Sequence, residues 1–573
     1  MIKLMIDGQA IEVEEGTTIL EAARQSNIKI PTLCYHEDQA VKAVCRICCV
    51  EVEGQFLLPT ACNTPVTEGM VVKTASPKVI KARRNIMELI LARHPQNCLA
   101  CAKNGSCELQ EIARDLNMTG EIRYDLQLRR TEMDKSSPSI VRDMTRCILC
   151  GRCMEACTEG QQISVMAKEN RGYHTNIVPP YGKKLTDTTC VNCGQCVQMC
   201  PVGALTIKED IDRVYDAMNE GKKVVIQMAP SVRITLAELM GYEPGTVSTG
   251  KIVNALRRLG FYKVFDSDFS ADLTIMEEGN ELLQRLKNGG TLPMITSCCP
   301  AWIKYCETYG SDLLDHLSTA KSPQQMFGSV IKTYFAREEK LDAAEICSVS
   351  VMPCTAKKFE CQREEMNDSG YQDVDIVITV QELAKMIKTA GIDFKNLEDA
   401  EFDQPFGLGS GAAQIFGATG GVMEAALRTV YEVVTGQELK KLEFEAVRGF
   451  EGIKEAAVQV GDLTVKVAIV HGLGNAKWLL EQIRAGKADY QFVEVMACPG
   501  GCIGGGGNGA RTWKKVHARM QAIYEEDKKL PIRKSHENPY IQKIYADFLG
   551  EPLSEKAHHL LHTSYTNRRD LLR

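Results

Sequence analysis

Two cysteine runs carry the plainest chemistry in this chain. CILCGRCMEAC supplies Cys147, Cys150, Cys153 and Cys157, and CVNCGQCVQMCP supplies Cys190, Cys193, Cys196 and Cys200 before Pro201. Thiolates two residues apart can hold neighbouring irons of one cube, and in such paired runs the fourth cysteine of each serves the other cluster. The expectation is one 4Fe-4S cluster on Cys147, Cys150, Cys153 and Cys200, and a second on Cys190, Cys193, Cys196 and Cys157. Two further sets precede them. Cys34, Cys45, Cys48 and Cys62 suit a 2Fe-2S cluster, although the first gap is longer than in plant-type proteins. Cys49, next to Cys48, should point away as a buried thiol. HPQNCLACAKNGSC adds His94, Cys98, Cys101 and Cys107. One histidine with three cysteines fits zinc or a 4Fe-4S cluster.

Composition narrows the class. The chain has 573 residues, long enough for several domains, with 44% hydrophobic and 25% charged residues. A net charge of -6 leaves no basic excess to meet phosphates, so a nucleic-acid partner is not expected. The start, MIKLMIDGQAIEVEEG, lacks the basic-then-apolar pattern of a signal peptide, and no run of about 18 apolar residues suggests a membrane span. Of the 24 cysteines, 16 lie in the first 200 residues. In a long chain with no export signal, CxxC spacing reads as metal ligation rather than disulfides.

The elements that must position these groups follow from local pattern. Residues 1–78 alternate like strands around one helix, TTILEAARQSN, and read as a β-grasp 2Fe-2S ferredoxin-like domain. Residues 79–125 begin with a basic helical segment and read as a small helical His/Cys3 cluster domain. Residues 126–208 read as a bacterial-type ferredoxin domain with two 4Fe-4S clusters. From 209 to 573 strand-like runs (KKVVIQMAP, TLPMITSCCP, EICSVSVMPC, DIVIT, VKVAIVHGL, YQFVEVMACP) alternate with helical segments. That predicts a C-terminal α/β domain with parallel sheets flanked by helices, in a chain that is α/β and α+β overall. Four of the runs end in Pro or carry Cys-Pro at the strand's carboxyl end, where α/β sheets bind ligands.

Three such ends also deliver cysteine: TSCCPAW (Cys298, Cys299), MPCTAKKFE (Cys354) and EVMACPGGCIGGGG (Cys498, Cys502). Cys306, Cys347 and Cys361 fall elsewhere and are expected in the core. If the ends converge, four thiolates suffice for a 4Fe-4S cube and one of the TSCCP pair is spare. TSCCP, MPCxxKxxE and ExMACPGGCxxGGG resemble the three signature motifs of the FeFe (iron-only) hydrogenases, and the likeness extends over essentially the whole chain to the SHENPYIQKIYADFLGEP tail. The closest resemblance is to long clostridial-type members with four accessory clusters.

The resemblance implies reversible H2 oxidation and proton reduction at an H-cluster, a 4Fe-4S cube joined through a cysteine sulfur to a two-iron unit with CO, cyanide and a bridging azadithiolate. By motif, Cys299, Cys354, Cys498 and Cys502 would hold the cube, Cys502 bridging to the two-iron unit. Lys357 would donate to one cyanide, and Ser231 and the backbone around Ala229 and Pro230 would meet the other. Gln324, Met352, Pro353, Phe416 and Met496 would line the pocket. The spare thiol resembles a proton-relay cysteine, and the implied path runs Cys298, Glu278, Ser318, Glu281, solvent. Taken alone, Glu278 and Glu281 in MEEGNELLQR would read as a solvated helix face. The two ferredoxin-like clusters are expected nearest the H-cluster, with the 2Fe-2S and His-ligated clusters as outer ports. Electrons would pass to a ferredoxin, or to a flavin- and NAD-binding partner in an electron-bifurcating complex. Maturation proteins would load the two-iron unit, and the expected setting is the cytoplasm of an anaerobic bacterium. A non-catalytic complex-I-like electron-transfer subunit, a hydrogen sensor and an iron-sulfur assembly protein are the rivals; intact motifs and Cys298 oppose them. One departure stands out: Asn508-Gly509 replaces the family's usual Gln-Pro. Without proline's fixed φ, the segment beyond Cys502 is expected to loosen. The four glycines from 504 to 507 are expected to let backbone pack against a cluster and neighbouring helices and to permit turns closed to other residues.

Overall fold

The N-terminal alternation IKLMI and QAIEV turns Leu4, Ile6, Ile11 and Val13 to one buried face, as a period of two requires. The structure, a computed structural model, describes residues 1–119, 122–124, 126–128, 132–461 and 463–572. Strands Ile2–Ile6 and Gln9–Val13 pair antiparallel, Ile2–Ile6 pairs parallel with Val71–Lys73, and Glu51–Val52 closes the sheet antiparallel to that strand. Helix Ile19–Gln25 packs on it through Ile19, Leu20, Ala22 and Ala23. Its start is fixed by a reciprocal cap: Glu21 N–H donates to Thr18 Oγ1 at 3.2 Å and Thr18 N–H to Glu21 Oε2 at 2.9 Å. Such caps contribute about 1 kcal/mol.

The basic segment that follows is the helix Pro77–Leu91, capped by Ser76, and it runs across position 78. Residue 125, the next expected junction, lies outside the described residues. In the paired cysteine runs the chain turns through Gly151 and Gly194, at φ +77° and +71°, into the short helices Arg152–Glu155 and Gln195–Met199. Glycine is the residue that adopts such angles freely. Strands Ile140–Arg142 and Leu205–Ile207 pair antiparallel at the ends of this unit.

Beyond 209 the chain builds two four-stranded sheets. The first runs Lys263–Asp266, Lys223–Met228, Ile346–Met352, Ile376–Thr379, all parallel. Its strands read as continuous apolar runs because both faces are covered. The second runs Met294–Ile295, Phe492–Met496, Leu463–His471, Ile453–Val460, parallel except for the last strand. TLPMITSCCP supplies only two strand residues; Pro293 has no N–H for the ladder, so pairing starts at Met294. Two edge strands, Lys263–Asp266 and Ile453–Val460, were passed over by the sequence reading.

The glycine run 504–507 corrects one expectation. None of the four has a positive φ, so no forbidden turn calls for them. A Cβ on Gly506 would lie 2.3 Å from Cys193 O and 2.7 Å from Gly194 Cα. One on Gly504 would lie 2.2 Å from Pro499 O, and one on Gly505 2.4 Å from Pro353 O. Backbone meets backbone here, and a side chain has no place. Polar bonds tie the same seam. Gln195 Nε2 donates to Gly504 O at 3.0 Å, Gln198 Nε2 to Gly505 O at 2.6 Å, and Thr355 Oγ1 to Asn192 O at 2.6 Å. The second cysteine run is thereby pressed onto the ends of both catalytic sheets.

The expected loosening at Asn508-Gly509 is also overturned. Asn508 is fully buried, and its Nδ2 donates to Cys502 O at 3.0 Å and Ile503 O at 3.2 Å. Its own carbonyl accepts from Gln381 Nε2 at 2.6 Å, and Gly509 O accepts from Gln198 Nε2 at 3.2 Å. The short amide reaches back onto its own turn and ties it locally. Gly506→Ala should cost about 1–3 kcal/mol by overpacking the seam. Gly160→Ala, whose added Cβ meets nothing nearer than 4.0 Å, should leave the unfolding midpoint nearly unchanged. Equal midpoints for the two variants in denaturant melts would contradict this reading of the run.

Candidate active site

Strand ends of both sheets open onto one cavity of about 90 Å³. Roughly 10–15 Å³ by this kind of measure holds one water, so there is room for a polyatomic group. Lys223–Met228 leads into Ala229, Pro230 and Ser231; Ile346–Met352 ends in Met352 and leads into Pro353 and Cys354. Phe492–Met496 ends in Met496 and leads into Cys498, with Cys502 one turn on. Met294–Ile295 leads to Cys298 and Cys299, and Cys299 is the N-cap of the helix Pro300–Tyr309. Gln324, Lys357 and Phe416 complete the set that the sequence reading gave to the pocket, and all of them border the cavity. The reading missed Ser267, Ala271 and Gly417, small residues that belong to no motif.

The donors in this lining fit an anionic, thiolate-bound cofactor. Burial pushes the Cys354 thiol up to about 12 and also raises Cys299, and burial with repulsion from the neighbouring thiols raises Cys498 and Cys502. Four such thiols ionise together only around a cationic centre, and cluster iron is one. Ala497 N–H points at Cys299 Sγ, 3.4 Å away. Ser231 is fully buried at the wall, and its hydroxyl has no partner among the described residues. Lys357 Nζ stands at the wall, donating to Cys298 O at 3.1 Å and Glu360 Oε2 at 2.8 Å.

The other cysteine sets converge too. Cys157, Cys190, Cys193 and Cys196 line one apolar cavity of about 30 Å³, so the fourth cysteine of the first run joins the second. Cys200 acts electrostatically on Cys150 and Cys153, alongside Cys147. Cys45 hydrogen-bonds Cys34, and Cys48 hydrogen-bonds Cys62. Cys49 lies buried apart, against the Arg83 guanidinium, which donates to Cys49 O at 2.8 Å. Cys101 and Cys98 act on Cys107, and His94 is buried just after the helix Pro77–Leu91. Cys306, Cys347 and Cys361 are core thiols. Cys193 lies close enough to feel Cys354 and Cys498, which makes its run the neighbour of the main cavity.

Glu278 and Glu281 sit on the helix Asp268–Asn288 and are 1% and 6% exposed, so the solvated-face reading fails. Cys298 is raised by burial and by the Glu278 charge beside it. Ser318 Oγ donates to Glu281 Oε2 at 3.0 Å. Thr319 adds its N–H at 3.0 Å, and Arg285 Nη2 donates to Glu281 Oε1 at 2.6 Å. Neither Glu278 oxygen completes a hydrogen bond, although Ser318 and the Ser297 backbone lie near enough to favour its ionised form. Long contacts of this kind are common in resting acid-base sites. The sequence reading missed Arg285, Thr319 and His562, whose Nδ1 meets Thr319 Oγ1 at 2.7 Å.

Comparison with known proteins follows this geometry. Residues 222–506 match the iron only hydrogenase large subunit, C-terminal domain, and 514–568 the iron hydrogenase small subunit. Residues 1–77 match a 2Fe-2S iron-sulfur cluster binding domain, 83–121 the NADH-ubiquinone oxidoreductase-G iron-sulfur binding region, and 137–206 the NADH-quinone oxidoreductase subunit 3 ferredoxin-like domain. The chain is 51% identical to the NADP-reducing hydrogenase subunit HndD of Solidesulfovibrio fructosivorans, over 100% of both chains. It is 43% identical to iron hydrogenase 1 of Clostridium pasteurianum, over 99% of this chain and 100% of that one. A solved structure of apo FeFe-hydrogenase HydA1 from Chlamydomonas reinhardtii superposes with a TM-score of 0.56 at 42% identity, covering 62% of this chain and 98% of the other.

Burial, reinforced by the Glu281 charge, lifts Glu278 from an ordinary 4.5 to about 8. The carboxyl is therefore neutral at pH 7 and returns to its ordinary acidity on unfolding. Its burial is free of penalty below about 4.5, the protein loses stability as pH rises from there, and the loss is complete above about 8. Glu278→Gln keeps the shape and removes the titration. Between about pH 5 and 8 the wild type should lose stability relative to this variant. Parallel melting profiles across that window would rule out the raised acidity.

Proposed function

The chain belongs to the iron-only hydrogenase family, an oxidoreductase acting on H2 with accessory 2Fe-2S and 4Fe-4S domains, and on that premise we propose how its own residues divide the work. One observation carries the proposal: thiols from three distant motifs border one enclosed cavity, with Glu278 behind the fifth thiol. Cys299, Cys354, Cys498 and Cys502 would hold the 4Fe-4S part of the H-cluster, and Cys502 would also serve its two-iron unit. When bound, this cofactor makes and cleaves H2 and takes up or releases the electrons.

The protein orients it. Lys357, fixed by Glu360, and the unpartnered Ser231 hydroxyl would donate to its anionic diatomic ligands, while the backbone of Ala229 and Pro230 packs beside them. Gln324, Met352, Pro353, Phe416 and Met496 fill the remaining wall and exclude water. In a dry pocket each of these dipoles acts with little screening. Cys298 Sγ holds a proton and exchanges it with the Glu278 carboxyl. Ser318 Oγ passes it to Glu281 Oε2, and Arg285, at 14% side-chain exposure, stands where that path meets solvent.

We read the chain as four units, 1–78, 79–125, 126–208 and 209–573, carrying one 2Fe-2S and three accessory 4Fe-4S clusters on the sets above. Cys157, Cys190, Cys193 and Cys196 would hold the cluster nearest the main cavity, the place for the first electron acceptor. Leu99, 93% exposed between Cys98 and Cys101, marks the His94 set as an outer port. The likeness of the whole chain to an NADP-reducing hydrogenase subunit favours a nucleotide-linked partner subunit over a free ferredoxin. Among the described residues no helix is long and apolar enough to cross a membrane.

The test is hydrogen evolution from reduced methyl viologen by protein carrying its two-iron unit, with infrared CO and cyanide bands as a check on loading. Cys298→Ala should keep the bands and lose roughly 10²-fold or more of the rate, the scale of a lost acid-base group. Full activity in that variant would overturn the relay, and bands absent from the loaded wild type would overturn the cofactor assignment.

A further inference from the structure

Glu281 has a second carboxyl on its own helix face. Glu277 lies four residues earlier on the helix Asp268–Asn288 and is fully buried. His562 links the two by way of Thr319. It is 4% exposed and is the C-cap of the helix Glu555–Leu561. Its backbone is held in place, because Lys321 N–H donates to Leu561 O and Thr563 N–H to Thr319 O, both at 2.8 Å. The ring then makes two contacts. Nε2 meets Glu277 Oε2 at 3.0 Å, and Nδ1 meets Thr319 Oγ1 at 2.7 Å. The same Thr319 hydroxyl lies 3.2 Å from Glu281 Oε2.

Counting protons shows what this chain can do. Glu277 already accepts Leu553 N–H at 3.0 Å and the Tyr545 hydroxyl, so Nε2 faces it as an N–H donor. A hydroxyl has a single proton to give. With Nδ1 bare, Thr319 donates to the ring and Glu281 loses a donor. With a proton on Nδ1 as well, the ring donates to Thr319 Oγ1, and the hydroxyl proton turns to Glu281. Each hydrogen bond that a carboxylate accepts favours its ionised form, so the direction of this one hydroxyl bears on how readily Glu281 gives up a proton. Other charges are committed elsewhere. Arg285 is bound to Glu281 at 2.6 Å, and Asp368 and Asp373 hold the Lys321 ammonium at 2.7 and 2.8 Å. The exposed His558 ring stacks on His562 with centroids 4.7 Å apart.

We propose that His562 is a positioning residue for proton exit, setting whether the Thr319 hydroxyl serves Glu281. The proposal rests on the reading of Glu281 as the outer group of the relay. His562 acts through Thr319 alone, and Glu277 holds the ring in register for it.

The experiment uses the full chain carrying its cofactor, with infrared bands and iron content as checks on loading. H2 oxidation by oxidised benzyl viologen is measured in H2O and D2O for wild type, Thr319→Val, Thr319→Ser, His562→Gln and the double variant Thr319→Val/His562→Gln. Valine keeps the shape of threonine without the hydroxyl, and serine restores the hydroxyl. A glutamine amide can donate to Glu277 while accepting from Thr319, but it cannot donate to both. Thr319→Val and His562→Gln should each lose about tenfold in rate, the scale of one hydrogen bond to a charged group. Both should show a larger solvent isotope effect, Thr319→Ser should recover the rate, and the double variant should be no slower than Thr319→Val. Losses that multiply in the double variant would overturn the proposal, since His562 would then act by a route other than Thr319. So would a wild-type rate and isotope effect in Thr319→Val, or loss of iron or infrared bands in His562→Gln, which would make the histidine a structural support. A wild-type rate in Glu281→Gln would instead remove the underlying relay reading.

Discussion

Bringing sulfur from distant parts of a chain to one dry point is the constraint on which the rest of this structure depends. Cys299, Cys354, Cys498 and Cys502 come from three strand ends in two sheets, and each is driven toward its neutral form by burial. The carboxyl ends of both sheets therefore open onto the same cavity. The loops leaving them must be short and closely packed, which is why Pro300, Pro499 and the glycines beyond Cys502 follow the cysteines so tightly. Glu494 shows the same economy: its carboxylate, one strand residue from the site, accepts Gly420 N–H at 2.6 Å and Met423 N–H at 2.8 Å. A charge at a helix N-terminus steadies both the helix Gly421–Thr435 and the Phe416 wall before it.

The domains are joined by backbone approach rather than by a broad apolar face alone. Gly506 against Cys193 and Gly194 brings the second cysteine run as close as two main chains can come. The bonds from Gln195, Gln198 and Thr355 fix its register. Asp38, from the N-terminal domain, adds a tie by accepting Trp513 N–H at 3.1 Å, which links the 2Fe-2S domain to the segment resembling a hydrogenase small subunit.

Much of this was legible because cysteine is costly to place and its spacing is informative. The paired runs announced their exchange of fourth ligands, and the three strand ends announced a common site. The parallel strands were legible as unbroken apolar runs, since both faces are covered. What escaped notice has physical reasons. Ile453–Val460 is an antiparallel edge strand whose alternation resembles many solvated segments. Ser267, Ala271 and Gly417 contribute by being small. Asn508-Gly509 was read through the proline that Gly509 replaces, whereas the effect comes from the two carbonyls the Asn508 amide reaches, which depends on a turn no pattern specifies.

The cavity also separates its two kinds of charge. On one wall Cys354 and Cys498 lie within electrostatic reach of Cys193. On another, Cys298 faces Glu278 and the helix Asp268–Asn288 leads outward through Glu281 and Arg285. Burial holds the Glu278 carboxyl up at about 8, so it is neutral at pH 7 and adds no second negative charge beside the cavity. A carboxyl kept neutral in this way can stand behind Cys298 without opposing the ionisation that the other thiols need if they are to bind a cationic centre.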